Sequence, residues 1–201
     1  MLWLCLLLPS LPLDVFARAI APTERARPFA VTTGGHYPRI VAANAAALDA
    51  GIAPEQPVSA ALALAPDLVL RDRDFTLEAD ALAAVAAWAT QFTPMVSLAP
   101  PDAILAEIGG SLALFGGRSQ LRDHFARGAR DLGYTARFAF APTPTAALVF
   151  ARGGARSLDA SRLAHLDVDA SALTTLAAAG INTFGEACAL PRDALARRVC
   201  K

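Results

Sequence analysis

The sequence predicts a mixed α+β fold of one medium domain, with a small helical module appended to it. Three observations carry that reading. Short apolar strand candidates alternate with longer helical periods up to residue 156, after which short helices parted by tight turns take over. Hydrophobic residues make up 55% of the 201 positions and charged residues 18%, which is ample material for a packed core. The apolar excess is mostly alanine and leucine, which favours helix.

The first element is the run Leu2 to Leu8. It is too short to span a bilayer and lacks the positive residues that precede a secretory leader. A continuous apolar run of this length fits a central strand covered on both faces. An exported protein with a cleaved leader is the minor alternative.

After the prolines at 9 and 12, a short helix is expected from Asp14 to Ala21, then strands at Phe29–Val31 and Arg39–Ala43 about the Gly34-Gly35 turn. Asn44 caps a helix over Ala45–Ala50 that Gly51 ends. Pro57 introduces a helix over Ser59–Ala65, followed by extended Leu68–Leu70. Leu77 to Thr93 is the clearest helix, with Leu77, Leu82, Val85, Ala86 and Trp88 as its apolar positions.

Ala103–Ile108 reads as a strand ending at Gly109-Gly110. Ser119–Leu132 reads as an amphipathic helix with Leu121, Phe125, Ala129 and Leu132 on one side. A strand over Tyr134–Ala141 and a helix over Thr145–Arg152 complete the domain, and Gly153-Gly154 separates it from the helical tail.

Charge bounds the function. The 18 basic and 18 acidic residues cancel, whereas an autonomous nucleic-acid binder draws its affinity from a basic surplus. Cys5, Cys188 and Cys200 lie far apart with no metal-ligand spacing, and read as thiols of a reducing cytoplasm. His36, His124 and His165 share no spacing either, so no metal site is expected. Asp67, Asp72 and Asp74 alternate with Arg71 and Arg73 as a mixed-charge surface loop.

The strands and helices alternate as a ferredoxin-like layer requires, with two helices on one sheet face. Four segments make this specific. Asn44-Ala-Ala-Ala-Leu-Asp-Ala-Gly-Ile-Ala-Pro-Glu-Gln-Pro57 is similar to the fingers segment of Y-family DNA polymerases, matching at Asn44, Ala47, Gly51 and Pro57. Phe140-Ala-Pro-Thr-Pro-Thr-Ala-Ala-Leu148 resembles that family's palm-helix motif. Ser97 to Gly110 occupies the place of its Asp-Glu-bearing strand, and Leu163 to Ala187 resembles its helix-hairpin-helix thumb.

The resemblance implies a ferredoxin-like palm at 1–30 and 95–156, fingers and the start of a palm helix at 31–94, and an incomplete helical thumb at 157–201. The little finger and C-terminal region are not in the sequence.

The departures from the family pattern fall on its chemistry. Two-metal catalysis needs clustered carboxylates. The family's opening Asp-x-Asp falls on Leu7 and Pro9, and its later Asp-Glu on Asp102 and Ala103, leaving Asp102 as a remnant candidate. Glu107 stands at the later structural aspartate. The groups that clamp a triphosphate fall on Ala45, Leu48 and Leu148, and an earlier lysine falls on Pro144. The thumb's phosphate-gripping turn aligns with Leu166-Asp167-Val168-Asp169, whose carboxylates repel phosphate.

This pattern resembles the ImuB-like, catalytically inactive branch of the family, which acts as a scaffold of a damage-induced, SOS-type bacterial mutasome. The resemblance implies no cofactor or metal and a cytoplasmic location without membrane insertion. It also implies an error-prone C-family polymerase, a sliding clamp and a RecA-like protein as partners. Weak template-primer contact through Arg39, Arg71, Arg73 and Arg118 would accompany these. The alternative is an active translesion polymerase using unorthodox ligands such as Asp14 and Asp102.

Overall fold

The computed structural model describes residues 1–20, 26–191 and 193. Two sheets organise them. The first has the order β5-β6-β1-β7, from β1 (Trp3–Leu7), β5 (Val96–Ala99), β6 (Ala103–Glu107) and β7 (Arg137–Ala141), all antiparallel. The second, β3-β2-β4, joins β2 (Phe29–Thr32) antiparallel to β3 (Ile40–Ala43) and parallel to β4 (Val69–Asp72).

Strand β1 is interior and buried on both faces, which accounts for its unbroken apolar sequence. Leu4, Leu6 and Leu8 face a core shared with α4 (Phe75–Ala89) and α5 (Arg118–Asp131), through Leu82, Val85, Leu121 and Phe125. Cys5 and Leu7 face the other way, onto Ala146, Ala147 and Ala151 of α6 (Pro144–Gly153). The two-helix face expected from the sequence is therefore present, and a third helix covers the opposite face.

The α4–α5 contact is fitted around an absence. Trp88 lies edge-on to Phe125 (centroids 5.5 Å apart), and Phe92 sits 4.6 Å from Phe125. A Cβ on Gly128 would fall 1.9 Å from Trp88 Cζ2, so α5 keeps a poor helix former to admit the indole.

In the second sheet, Ala30 and Ile40 pack with Ala47 of α2 (Ala45–Asp49), Ile52, and Ala61 of α3 (Val58–Leu64). Its other face, through Phe29 and Val31, meets Leu13 of α1 (Leu11–Ala17). Helix α1 is also clamped to the corner before β7. Asp14 Oδ2 accepts from Thr135 N at 2.8 Å, and the Arg18 guanidinium donates to the Tyr134 hydroxyl and lies over its ring. Strand β2 crosses the boundary drawn at residue 30 from the sequence, and α4 packs with the first sheet.

The last described segment holds α7 (Ala170–Ala178) and α8 (Phe184–Cys188), packed through Leu163, Leu176 and Ala187. Gly180, at φ 77°, ends α7 as a stop signal, and Thr183 with Glu186 forms a reciprocal capping box on α8.

Several sequence boundaries move. Helix α1 starts at Leu11, with Pro12 in its first turn, and stops at Ala17, so Asp14 lies inside it; Ala21 falls outside the described residues. Helix α4 starts at Phe75 because Asp74 accepts from Thr76 N and Leu77 N, and it ends at Ala89, short of Thr93. Leu77 is 43% exposed, whereas Glu78 is buried against Arg73. The stretch from Ser97 to Gly110 is a hairpin of two strands turning at Pro100-Pro101, and β7 begins at Arg137 rather than Tyr134.

Gly128→Ala is expected to destabilise the protein by about 1–3 kcal/mol despite its better helix propensity, because the added methyl overpacks Trp88. Urea unfolding measures it, and combining the change with Trp88→Leu should recover part of the loss.

Candidate functional site

Of the positions singled out in the sequence, Leu7, Asp102, Ala103 and Leu148 come together where β1, β6 and α6 meet. Leu7 pairs with Ala103 across the β1–β6 ladder, and the next backbone bond runs from Leu8 N to the Asp102 carbonyl (2.7 Å). Leu7 and Ala103 lie in one buried apolar cluster with Cys5, Leu105, Ala141 and the alanines of α6. Leu148 packs against the same cluster, and Pro144 opens α6 behind the Thr143 N-cap. Pro9 lies on the surface beyond β1.

Asp102 sits at the rim of this cluster, with its side chain 32% exposed. Its Oδ1 accepts from Arg152 Nη2 at 3.2 Å. Burial pushes the Cys5 thiol up to about 12, moderated by the Arg152 charge. The place is thus buried and apolar below, with an ion pair at its mouth. Among the described residues, no group of three or more His, Cys, Asp or Glu side chains stands where it could hold a metal ion.

Asp14 is not brought to Asp102. It is buried in α1, bonded to Thr135 beside β7, and burial raises its carboxyl above the ordinary value. Glu107 closes the start of the chain. Its Oε1 accepts from Leu2 N (2.9 Å) and Gly109 N (3.1 Å), and these backbone donors lower its pKa, with Leu2 foremost.

The matched fingers positions all have structural tasks. Asn44 Oδ1 accepts from Ala47 N and Phe29 N (3.0 Å each), and its amide donates to the Arg27 carbonyl, joining the α2 cap to β2. Ala47 is fully buried, Gly51 adopts φ 85°, and Pro57 precedes α3. The unmatched Ala45 and Leu48 are exposed on α2, Leu48 at 50%.

The four arginines come from different places in the fold: before β3, in and just after β4, and at the start of α5. Arg39 donates to the Glu55 carbonyl (2.6 Å), and Arg71 lies exposed on β4. Arg73 is held by both Glu78 oxygens (2.7 and 2.8 Å), a hydrogen-bonded pair that raises the Arg73 pKa. Arg118, first in α5, stacks over Phe140. In the helical module Asp169 is the N-cap of α7, accepting from Ser171 N and Ala172 N.

The model of the impB/mucB/samB family matches residues 14–152, a span that includes the Asn44–Pro57 framework and the hairpin bearing Asp102 and Ala103. The chain belongs to this family. It is 37% identical over 160 residues to Protein ImuB of Caulobacter vibrioides, in strains NA1000 / CB15N and ATCC 19089 / CIP 103742 / CB 15. That match takes in 74% of this chain and 35% of the relative, so the chain spans about a third of the curated relatives' length.

The fold is that of Y-family polymerases. DinB from Sulfolobus solfataricus superposes with TM-score 0.71 at 12% identity, over 100% of this chain and 64% of that one. The insertion ternary complex of Dbh DNA polymerase gives 0.73 at 13%, with the same coverage. Among the described residues no helix is long and apolar enough to cross a membrane.

Sequence reading missed Arg152 as the partner of Asp102. The two lie 50 residues apart, and only the packing of α6 on β6 brings them together.

This geometry has two measurable outcomes. Alkylation at neutral pH should modify exposed Cys188 and spare Cys5 until the protein is unfolded, as read by peptide mapping. Glu107→Gln should cost about 1 kcal/mol by urea unfolding at neutral pH, since its acceptor bonds lose their charge. The folded carboxyl titrates below its ordinary 4.5, so its stabilisation is present above that pH and lost as the pH falls through the folded value. The gap between wild type and variant should therefore close in acid.

Proposed function

We propose that the chain is the palm, fingers and thumb portion of a non-catalytic Y-family relative, a scaffold in damage-induced translesion synthesis and mutagenesis. The carrying observation is the pairing of Leu7 with Ala103 inside a buried apolar cluster under α6, with Asp102 bound to Arg152. In the family pattern these are positions of metal-binding carboxylates. A two-metal site needs several anionic oxygens around both ions, and a single carboxylate already paired to arginine does not supply them. The apolar Ala45, Leu48 and Leu148 at the triphosphate positions support the same reading.

On this reading the retained framework is a platform. Its partners are an error-prone C-family polymerase, a sliding clamp and a RecA-like protein in the cytoplasm, with weak template-primer contact through Arg39, Arg71 and Arg118. Arg73 adds little, because its charge is taken up by Glu78. The alternative of an active enzyme through Asp14 and Asp102 is less well supported, since each carboxylate has its own partner, Thr135 and Arg152.

Template-primer binding by fluorescence anisotropy, with and without Mg²⁺ and nucleotide at two salt concentrations, tests the proposal. The expected result is weak, salt-sensitive binding, or none, that does not respond to Mg²⁺ or nucleotide. Tightening with the correct nucleotide would overturn it. Leu7→Asp combined with Ala103→Glu should cost on the order of 3 kcal/mol or more and create no Mg²⁺ affinity, because the carboxylates enter an apolar cluster. Chemical denaturation and Mg²⁺ calorimetry report the two halves of that prediction.

A further inference from the structure

The outer edge of β7 is the feature that the lost chemistry leaves unexplained. The strand bonds to β1 on one side, from Trp3 opposite Ala141 to Leu7 opposite Arg137, and ends the sheet on the other. Two adjoining grooves run along it, of about 660 and 630 Å³. The start of α5 forms one wall with Arg118 and Arg122. The end of α6 and the turn after it form the other with Phe150, Arg152 and Arg156. Phe138 and Phe140 rise from the floor, with Arg118 stacked 5.0 Å over Phe140.

The charged side chains lining the two grooves are all arginines, although the whole chain is neutral and two of them are paired from outside the lining. Asp123 engages Arg122 and Asp102 engages Arg152, while Arg118, Arg137 and Arg156 have no ion pair among the described residues. Charges that merely guard an edge against aggregation belong on the edge strand itself. Here only Arg137 does, and the other four arginines project from both flanking walls.

We infer that this edge is a docking site for an extended acidic segment of a partner protein, which adds to β7 as a further strand. An added strand satisfies the outward N–H and C=O groups of β7. Its alternate side chains then meet Arg118 and Phe140 on one face, and Arg137 and Arg156 on the other. A second copy of β7 would set arginine against arginine. A DNA sugar-phosphate backbone carries no donors, so it cannot pair the outward carbonyls in the regular ladder a strand forms. The acidic peptide is the occupant that fits both the charge and the backbone.

The test uses the full chain and a fluorescein-labelled peptide alternating valine with glutamate, together with two versions N-methylated at alternate residues. A single-stranded oligothymidylate serves as competitor. The expected result is salt-sensitive binding of the parent peptide, loss by about tenfold or more in one N-methylated register, and little change in the other. The amides of 137–141 should gain hydrogen-exchange protection, and Arg118→Glu with Arg156→Glu should abolish binding while leaving thermal unfolding unchanged. Absence of binding, equal binding of all three peptides, or stronger binding of the oligonucleotide would each overturn the inference.

Discussion

Burial of β1 on both faces is the constraint on which the rest depends. Leu4, Leu6 and Leu8 are fully buried on the side of α4 and α5, and Cys5 and Leu7 are closed in by α6. An ionised side chain on the second face would need either water or a counter-ion, and the alanines of α6 supply neither. In a Y-family palm that face is where the reaction is expected, and the proposal of a non-catalytic relative rests on its apolar packing here. Arg152 holds Asp102 at the rim of this cluster.

The preserved positions fall into a different class. Asn44, Ala47, Gly51 and Pro57 hold α2 and α3 on the second sheet through a cap, a buried methyl, a left-handed turn and a helix entry. Each of these tasks is a local structural one that serves the fold. The impB/mucB/samB match and the superposition on DinB and Dbh thus testify to a shared frame. That frame leaves the arginine-walled edge of β7 unpaired within the described sheet.

Much of the frame was legible because its signals are local. The unbroken apolar run announced a central strand, Asn44 announced a cap, and Leu121, Phe125 and Ala129 marked the buried stripe of α5. What was illegible depends on distant partners. Leu77 has the right character for a core position, but Asp74 starts α4 early and Arg73 draws Glu78 inward in its place. Strand β5 escaped notice because its four residues are at most half-buried and carry no alternation. The Asp102–Arg152 pair has no sequence signature, and Asp14 gave no sign that Thr135 would bind it.

The sharpest test of the proposal that the junction of β1, β6 and α6 holds no metal is Mn²⁺ titration followed by electron paramagnetic resonance. The aquo-ion signal reports free Mn²⁺ and broadens away when carboxylates take the ion up. The aquo signal should stay undiminished as protein is added, and Asp102→Ala should leave the titration unchanged. Uptake of two ions per chain, lost on substituting Asp102, would show that a reaction centre persists and would contradict it.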